Sequence, residues 1–309
     1  MARPLLDMPK LLDERGPELG VVEVRNAAAL SRVAQTGFAW TRQPGVVCLA
    51  TNRRYFDIAR ANPDVVAVIV PPDVAPYADG FGKILVVSTI ADELYHFLHA
   101  SQQPAETDDA PQVDASACLD ATAVLRGAVS IGPGARIGPR VVISGPATIG
   151  RDVRIDAGAI VGCDGLYAKQ VLGTRLNMPH FGGVEVEAGA YIHAGAVVVR
   201  SAVLGESTRI GRGAHVGVLS NVGHDVEIGE SATISSNCVL AGRARIGARA
   251  WIGASATVSN RVQVGEGAEV RIGAVVVQDV PAGGRVSGNF AMPHARNLKR
   301  FLRDSRHGA

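Results

Sequence analysis

Asn221-Val-Gly-His-Asp225 is the one short peptide of this chain whose residue types suggest a reaction. Neutral imidazole titrates near the usual working pH, so His224 can take a proton from a nucleophile as it attacks. The carboxylate of Asp225 stands next in the chain and can orient the ring or support the imidazolium. The bland alternative for His224 is a histidine exposed at a corner of the fold. His180, His193 and His215 are weaker candidates, suited to lining a pocket or a polar surface. The histidines lack the clustered spacing of a metal centre, so no metal is expected. Cys48, Cys118, Cys163 and Cys238 form no paired spacing either, which argues against zinc and disulfides, and none is placed for a covalent intermediate.

The element that must position His224 counts in sixes. An aliphatic residue stands at every sixth position from Val113 through Val161, and again from Val186 through Val276 with Val198, Leu204 and Ile210 in register. Gly often follows it, and a small residue usually sits four positions after it. Six is too short for a helical repeat and does not match a heptad. A short strand plus a corner does fit, with three units per turn giving a triangular coil of about eighteen residues. Nine units precede the interruption at 163–183 and sixteen follow it, so about eight coils are expected. The interruption is bulky and mixed, and a loop leaving a rigid scaffold is expected to contact substrate or cofactor.

The remaining chain divides by composition. Residues 1–100 read as a small α/β domain, with strands at Val46–Ala50, Val65–Val70 and Lys83–Val87 and helices at Asn52–Arg60 and Thr89–Ala100. Residues 101–112 are a polar, proline-bearing linker, 113–284 hold the repeat, and 285–309 form a C-terminal extension with a basic helix at 296–306. The net charge of +2 forecasts neither nucleic-acid nor membrane binding. No apolar run approaches a membrane span and no signal peptide opens the chain, so a cytoplasmic location is expected.

The hexapeptide pattern resembles the left-handed parallel β-helix of the hexapeptide-repeat acyltransferases, and the left hand is an implication of that resemblance. Over nearly its full length the chain resembles the UDP-3-O-(3-hydroxyacyl)glucosamine N-acyltransferases of lipid A synthesis. Leu49-Ala-Thr-Asn-Arg-Arg-Tyr55 with Ala67–Pro72 resembles that family's uridine-binding domain. Val161-Gly-Cys-Asp-Gly165 with Met178-Pro179 resembles its excursion between coils, and Val222–Gly229 its catalytic coil. The resemblance implies a homotrimer that moves an acyl group from an acyl carrier protein phosphopantetheine thioester to a UDP-linked amino sugar. No permanently bound cofactor is implied.

Residue by residue, the resemblance places His224 as general base and Gly242 as the glycine whose N–H stabilises the oxyanion. The spacing agrees: 242 − 224 = 18, one full coil, so the two should lie on adjacent coils about 4.8 Å apart. Asn52 and Tyr55 fall on uracil-contacting positions, although Asn52 also reads as a helix cap. Arg261 stands where the family has a second histidine, and with Asn221 and His180 it completes the expected substrate site. The basic helix 296–306 is a candidate dock for the acidic carrier protein. Leu49 replaces the family's uracil-stacking aromatic, Asp225 replaces its usual Asn, and the stretch from Arg200 to Ile210 is two residues longer. A His-Asp pair here also resembles trimeric acetyltransferases that use acetyl-CoA on nucleotide-linked amino sugars, which is the alternative function. A catalytically silent trimeric β-helix is the further alternative.

Overall fold

The computed structural model describes residues 6–102, 109–288 and 295–296. The basic helix expected over 296–306, and the carrier docking assigned to it, lie outside these residues beyond Arg296. The N-terminal part is a five-stranded sheet of order β1-β5-β4-β3-β2. Its strands are β1 (Val21–Arg25), β2 (Gln35–Gly37), β3 (Val46–Leu49), β4 (Val65–Val70) and β5 (Ile84–Ser88). Strands β2 to β5 pair in parallel and β1 closes the edge antiparallel to β5. The helices are α1 (Met8–Arg15), α2 (Arg53–Ala61) and α3 (Ala91–Ser101). Strands β3 to β5 are near-continuous apolar runs because helices cover both faces, and two separate buried clusters result.

From Gln112 onward the chain forms a left-handed parallel β-helix whose three faces are ladders of two- to four-residue strands. The first face runs from Gln112–Val113 to Gln263–Val264, the second from Cys118–Leu119 to Arg285–Val286, and the third from Val124–Arg126 to Val275–Val276. Each hexad contributes one strand and one corner. The sixth-position aliphatics Val222, Ile228, Ile234 and Leu240 point inward, as do Val226, Ala232, Cys238 and Ala244 four positions after them. All are at most 3% exposed, so every coil covers the apolar face of the next. Removing one such side chain, Ile to Ala, costs about 2–5 kcal/mol because the stacked coils cannot close around the void.

One unit of the expected register is wrong. Val186, Ile192 and Val198 serve the three faces in turn, and the next first-face strand, Ser207–Ile210, ends twelve residues after Val198 (210 − 198 = 12). Leu204 is therefore not an inward coil residue and is absent from the buried core. Between Val198 and Ile210 the chain thus spends six residues more than one hexad, a small second insertion centred on 200–206 at the corner between the third and first faces. The excursion leaves the same corner one coil earlier, from Ile160–Cys163, and rejoins at Gly183–Val186. His224 and Asp225 occupy this corner in the following coil, directly after both insertions.

Candidate active site

His224 and Asp225 form a hydrogen-bonded dyad. The His224 Nδ1 lies 2.7 Å from Asp225 Oδ2. A carboxylate only accepts, so Nδ1 carries the proton and Nε2 keeps its lone pair free. Asp225 takes the left-handed conformation at φ 59°, as do Arg243 and Arg261 at the same corner of the next two coils. Its backbone N–H donates to Thr208 Oγ1 at 2.9 Å, and its Oδ1 accepts from Ser201 Oγ. Arg243 Nε stands 3.8 Å from Oδ2. Burial alone pushes the Asp225 carboxyl up, but the bonds from His224 and Ser201 and the Arg243 charge hold it below the usual carboxylate range. The group is ionised at neutral pH.

Gly242 lies against the free side of that ring. A methyl group placed on it would sit 2.5 Å from His224 Nε2 and 2.8 Å from Cε1, so only glycine leaves room for the imidazole. Arg243 N donates to His224 O at 2.9 Å, which sets the two coils in register. The N–H of Gly242 makes no hydrogen bond among the described residues.

Two aromatic side chains from the excursion complete the surround. Tyr167 stacks on His224 with ring centroids 5.9 Å apart and planes 13° from parallel. His180 meets His224 edge-on at 5.7 Å, and its buried Nε2 has no hydrogen-bond partner among the described residues. Burial, more than any neighbouring charge, lowers the pKa of His180. The excursion is a hairpin of Ala168–Val171 and Thr174–Asn177 held against α3. Glu93 accepts from Leu172 N at 2.6 Å, and Lys169 reaches Asp92 at 3.3 Å. His96 Nδ1 donates to Asp92 O at 2.6 Å, so its Nε2 accepts the Tyr167 hydroxyl at 2.6 Å.

His99 adds a pH-sensitive tie to this clamp. Its Nε2 donates to Pro179 O at 2.9 Å and its Nδ1 meets Thr36 Oγ1 at 2.8 Å. Burial pulls its pKa from 6.5 down to about 4. The unfolded chain thus binds a proton that the folded chain refuses, and stability present above pH 6.5 is lost as pH falls towards 4. A full shift of this size is worth roughly 3 kcal/mol. Thermal unfolding followed from pH 7 to 4 should therefore fall more steeply for the wild type than for His99→Gln. Parallel curves would remove this role.

A cavity of about 280 Å³ opens beside the dyad between β2, α2, α3 and the coils. Phe38, Trp40 and Tyr55 give it an aromatic wall, with Phe38 and Trp40 stacked at 5.1 Å and Tyr55 6.1 Å beyond. Leu49 lines it from β3 and Thr51 from the turn between β3 and α2. Arg243 lies over the Phe38 ring at 3.8 Å, a cation–π contact, and Arg261 and Lys169 add positive charge. A second opening of about 480 Å³ continues past Arg54, Arg245, Glu206 and Asp279. Tyr167 and Arg243 border both the first cavity and the dyad, so aromatic wall, cations and imidazole form one connected region.

The structure thus brings His224, Asp225, Gly242, His180, Tyr55 and Arg261 into one region. Asn52 caps α2, its Oδ1 accepting from Tyr55 N at 3.1 Å, and is not in the cavity wall. Asn221 faces outward from the third face and is exposed. His193 and His215 sit on the second face with Tyr191, their ring nitrogens 3.4 Å apart, and do not join His224. Phe38, Trp40, Tyr167, Ser201 and Arg243 were not singled out by motif. The pair Phe38 and Trp40 carried the only available signal, two aromatics within three residues in a chain where aromatics are 5%. Among the described residues, no group of three or more His, Cys, Asp or Glu side chains is placed to hold a metal ion.

Residues 128–163 match the family model of the bacterial transferase hexapeptide, six repeats. No curated protein matches the chain. Among solved structures, UDP-N-acetylglucosamine acyltransferase from Francisella novicida is 23% identical, with a TM-score of 0.50 over 62% of this chain and 71% of that one. UDP-N-acetylglucosamine O-acyltransferase from Moraxella catarrhalis is 22% identical, with a TM-score of 0.40 over 62% and 75%. At such identities the likeness is one of fold. Residues 128–163 thus match the transferase hexapeptide repeat, and the chain folds as a left-handed β-helix, a fold it shares with the Francisella novicida structure.

Proposed function

We propose that the protein is an N-acyltransferase acting on a UDP-linked amino sugar, with an acyl carrier protein thioester as donor. The observation that carries this reading is the His224 ring, with Nδ1 bonded to Asp225 and Nε2 free against Gly242. In the proposed reaction the sugar amine attacks the thioester carbonyl carbon and a C–N bond forms. His224 Nε2 takes the amine proton, and Asp225 stabilises the imidazolium that results. The Gly242 N–H donates to the developing oxyanion, an interaction worth about 3–4 kcal/mol in related settings. Collapse breaks the C–S bond, and His224 returns its proton to the departing thiolate. An amide and a free thiol leave, with the enzyme unchanged.

The adjoining cavity supports a nucleotide-linked acceptor. A flat base can stack on Phe38, Trp40 or Tyr55, and a diphosphate can pair with Arg243, Arg261 and Arg54. The working unit is proposed to be a homotrimer assembled through the third face. Its outward ladder includes Val124, Val142, Ile160, Val197, Val239 and Val275 with a single charge, Arg126 on its first strand, whereas the first face shows Glu185, Arg209, Glu227 and Arg245. Val239 and Val275 are 42% and 70% exposed on the single chain, an apolar surface of the sort that is usually covered.

A second reading, acetyl-CoA-dependent N-acetylation of a nucleotide-linked amino sugar, draws on the His224–Asp225 pair itself. Purified protein given UDP-amino sugars with either 3-hydroxyacyl carrier protein or acetyl-CoA separates the two by the mass of the amide formed. The carrier-protein donor is expected to be consumed. Turnover with acetyl-CoA alone would establish the second reading instead. Consumption of neither, with His224→Ala indistinguishable from wild type in ligand binding, would leave a silent scaffold. The solution mass of the same preparation should be three chains, and a single-chain mass would exclude the trimer.

A further inference from the structure

The insertion at 200–206 ends at the dyad from below. Ser201 is 0% exposed, and its main chain is anchored on both sides, with its N donating to Gly183 O and its O accepting from Gly182 N, each at 3.0 Å. Val203 N donates to Ser201 Oγ at 3.2 Å, which occupies one lone pair of that oxygen. The hydroxyl has one proton to give. Its two acceptors are Val203 O at 3.3 Å and Asp225 Oδ1 at 2.5 Å, and the shorter, charge-assisted bond takes it. Asp225 is then held at three points: Oδ1 by Ser201, Oδ2 by His224, and the backbone N–H by Thr208 Oγ1.

We propose that Ser201 is a positioning residue for the reaction, its buried hydroxyl fixing the Asp225 carboxylate so that His224 keeps its proton on Nδ1 and leaves Nε2 free. The six additional residues of the corner are the element that delivers this hydroxyl. A corner of ordinary length connects two strands in a few residues and buries no side chain beneath the next coil's dyad. Here the added hexad turns inward at Ser201, Ala202 and Val203, all at most 1% exposed, before the chain resumes the first face. Without the hydroxyl, the carboxylate is free to rotate about its Cβ–Cγ bond, and the ring loses its single acceptor direction.

The catalytic part of this inference rests on the acyl-transfer reading, but its main test does not. Protein labelled with [15N]histidine reports ring tautomers through long-range proton–nitrogen couplings, with no substrate present. The His224 signals are identified by their loss in His224→Ala. One Nδ1–H tautomer is expected for the wild type, a mixture of both for Ser201→Ala, and recovery of the single tautomer for Ser201→Thr. Should Ser201→Ala fail to fold, Ser201→Cys keeps the volume with a far weaker donor and should also give the mixture. A single Nδ1–H tautomer in a folded Ala or Cys variant overturns the proposal. With the donor consumed by the wild type, Ser201→Ala should lower kcat about tenfold with KM nearly unchanged. A tautomer shift without any donor consumption sinks only the acyl-transfer reading, whereas equal loss in kcat and binding marks a structural role and overturns the positioning role.

Discussion

His224→Ala should lower kcat by about 10³-fold, the usual scale for losing a general base. Thiol release from the acyl donor is the direct measurement. The effect belongs to the base, because the substituted side chain is partly exposed at a corner and is not part of the buried apolar core of the coil. Its unfolding temperature should therefore stay close to that of the wild type. Nucleotide-sugar affinity should also be retained, since the aromatic wall and Arg261 are untouched. A kcat within tenfold of wild type would mean that another group, His180 being the nearest, accepts the proton.

The second large effect is expected from a single methyl group. In Gly242→Ala the new Cβ would lie 2.5 Å from His224 Nε2 and 2.8 Å from Cε1, well inside contact distance. The ring must swing away, and Tyr167 on one face and Asp225 at Nδ1 limit where it can go. We expect kcat to fall about 10²-fold, because a misplaced reacting group commonly costs that much. A double-mutant cycle isolates the cause. If the methyl acts by displacing the imidazole, it should add almost nothing once His224 is already Ala. A further 10²-fold loss in the double variant would instead show damage that does not pass through the ring.

How much of this was legible in the chain depends on the kind of contact. The coil was legible because a triangular prism needs one inward aliphatic residue per face, which imposes the same demand at every hexad. For the same reason Gly242 could be set beside His224 by counting one turn. The insertion at 200–206 was hidden by that very regularity: an added segment of six residues leaves a six-residue rhythm intact, and Leu204 kept the beat without entering the core. Asn52 illustrates a different limit. Its side chain satisfies the first turn of α2, as asparagine before a helix commonly does, and local chemistry explains it fully. Phe38, Trp40 and Tyr167 act across units far apart in the chain, and no local periodicity marks such contacts. Ser201 reaches Asp225 across twenty-four residues through an insertion, so no regular spacing pointed to it.

Both insertions enter at one corner and both return the chain to the first-face ladder in register. A corner that accepts added length without disturbing the strands stacked above and below it decouples specificity from stability. Chain extension there costs only the slowly growing entropy of a longer loop, while the inward aliphatics stay packed. The scaffold can therefore be remodelled next to its reactive imidazole by lengthening or exchanging loops, with the prism left as it is. In a coil of this kind, the corner that carries the histidine is also the one with the most room to evolve.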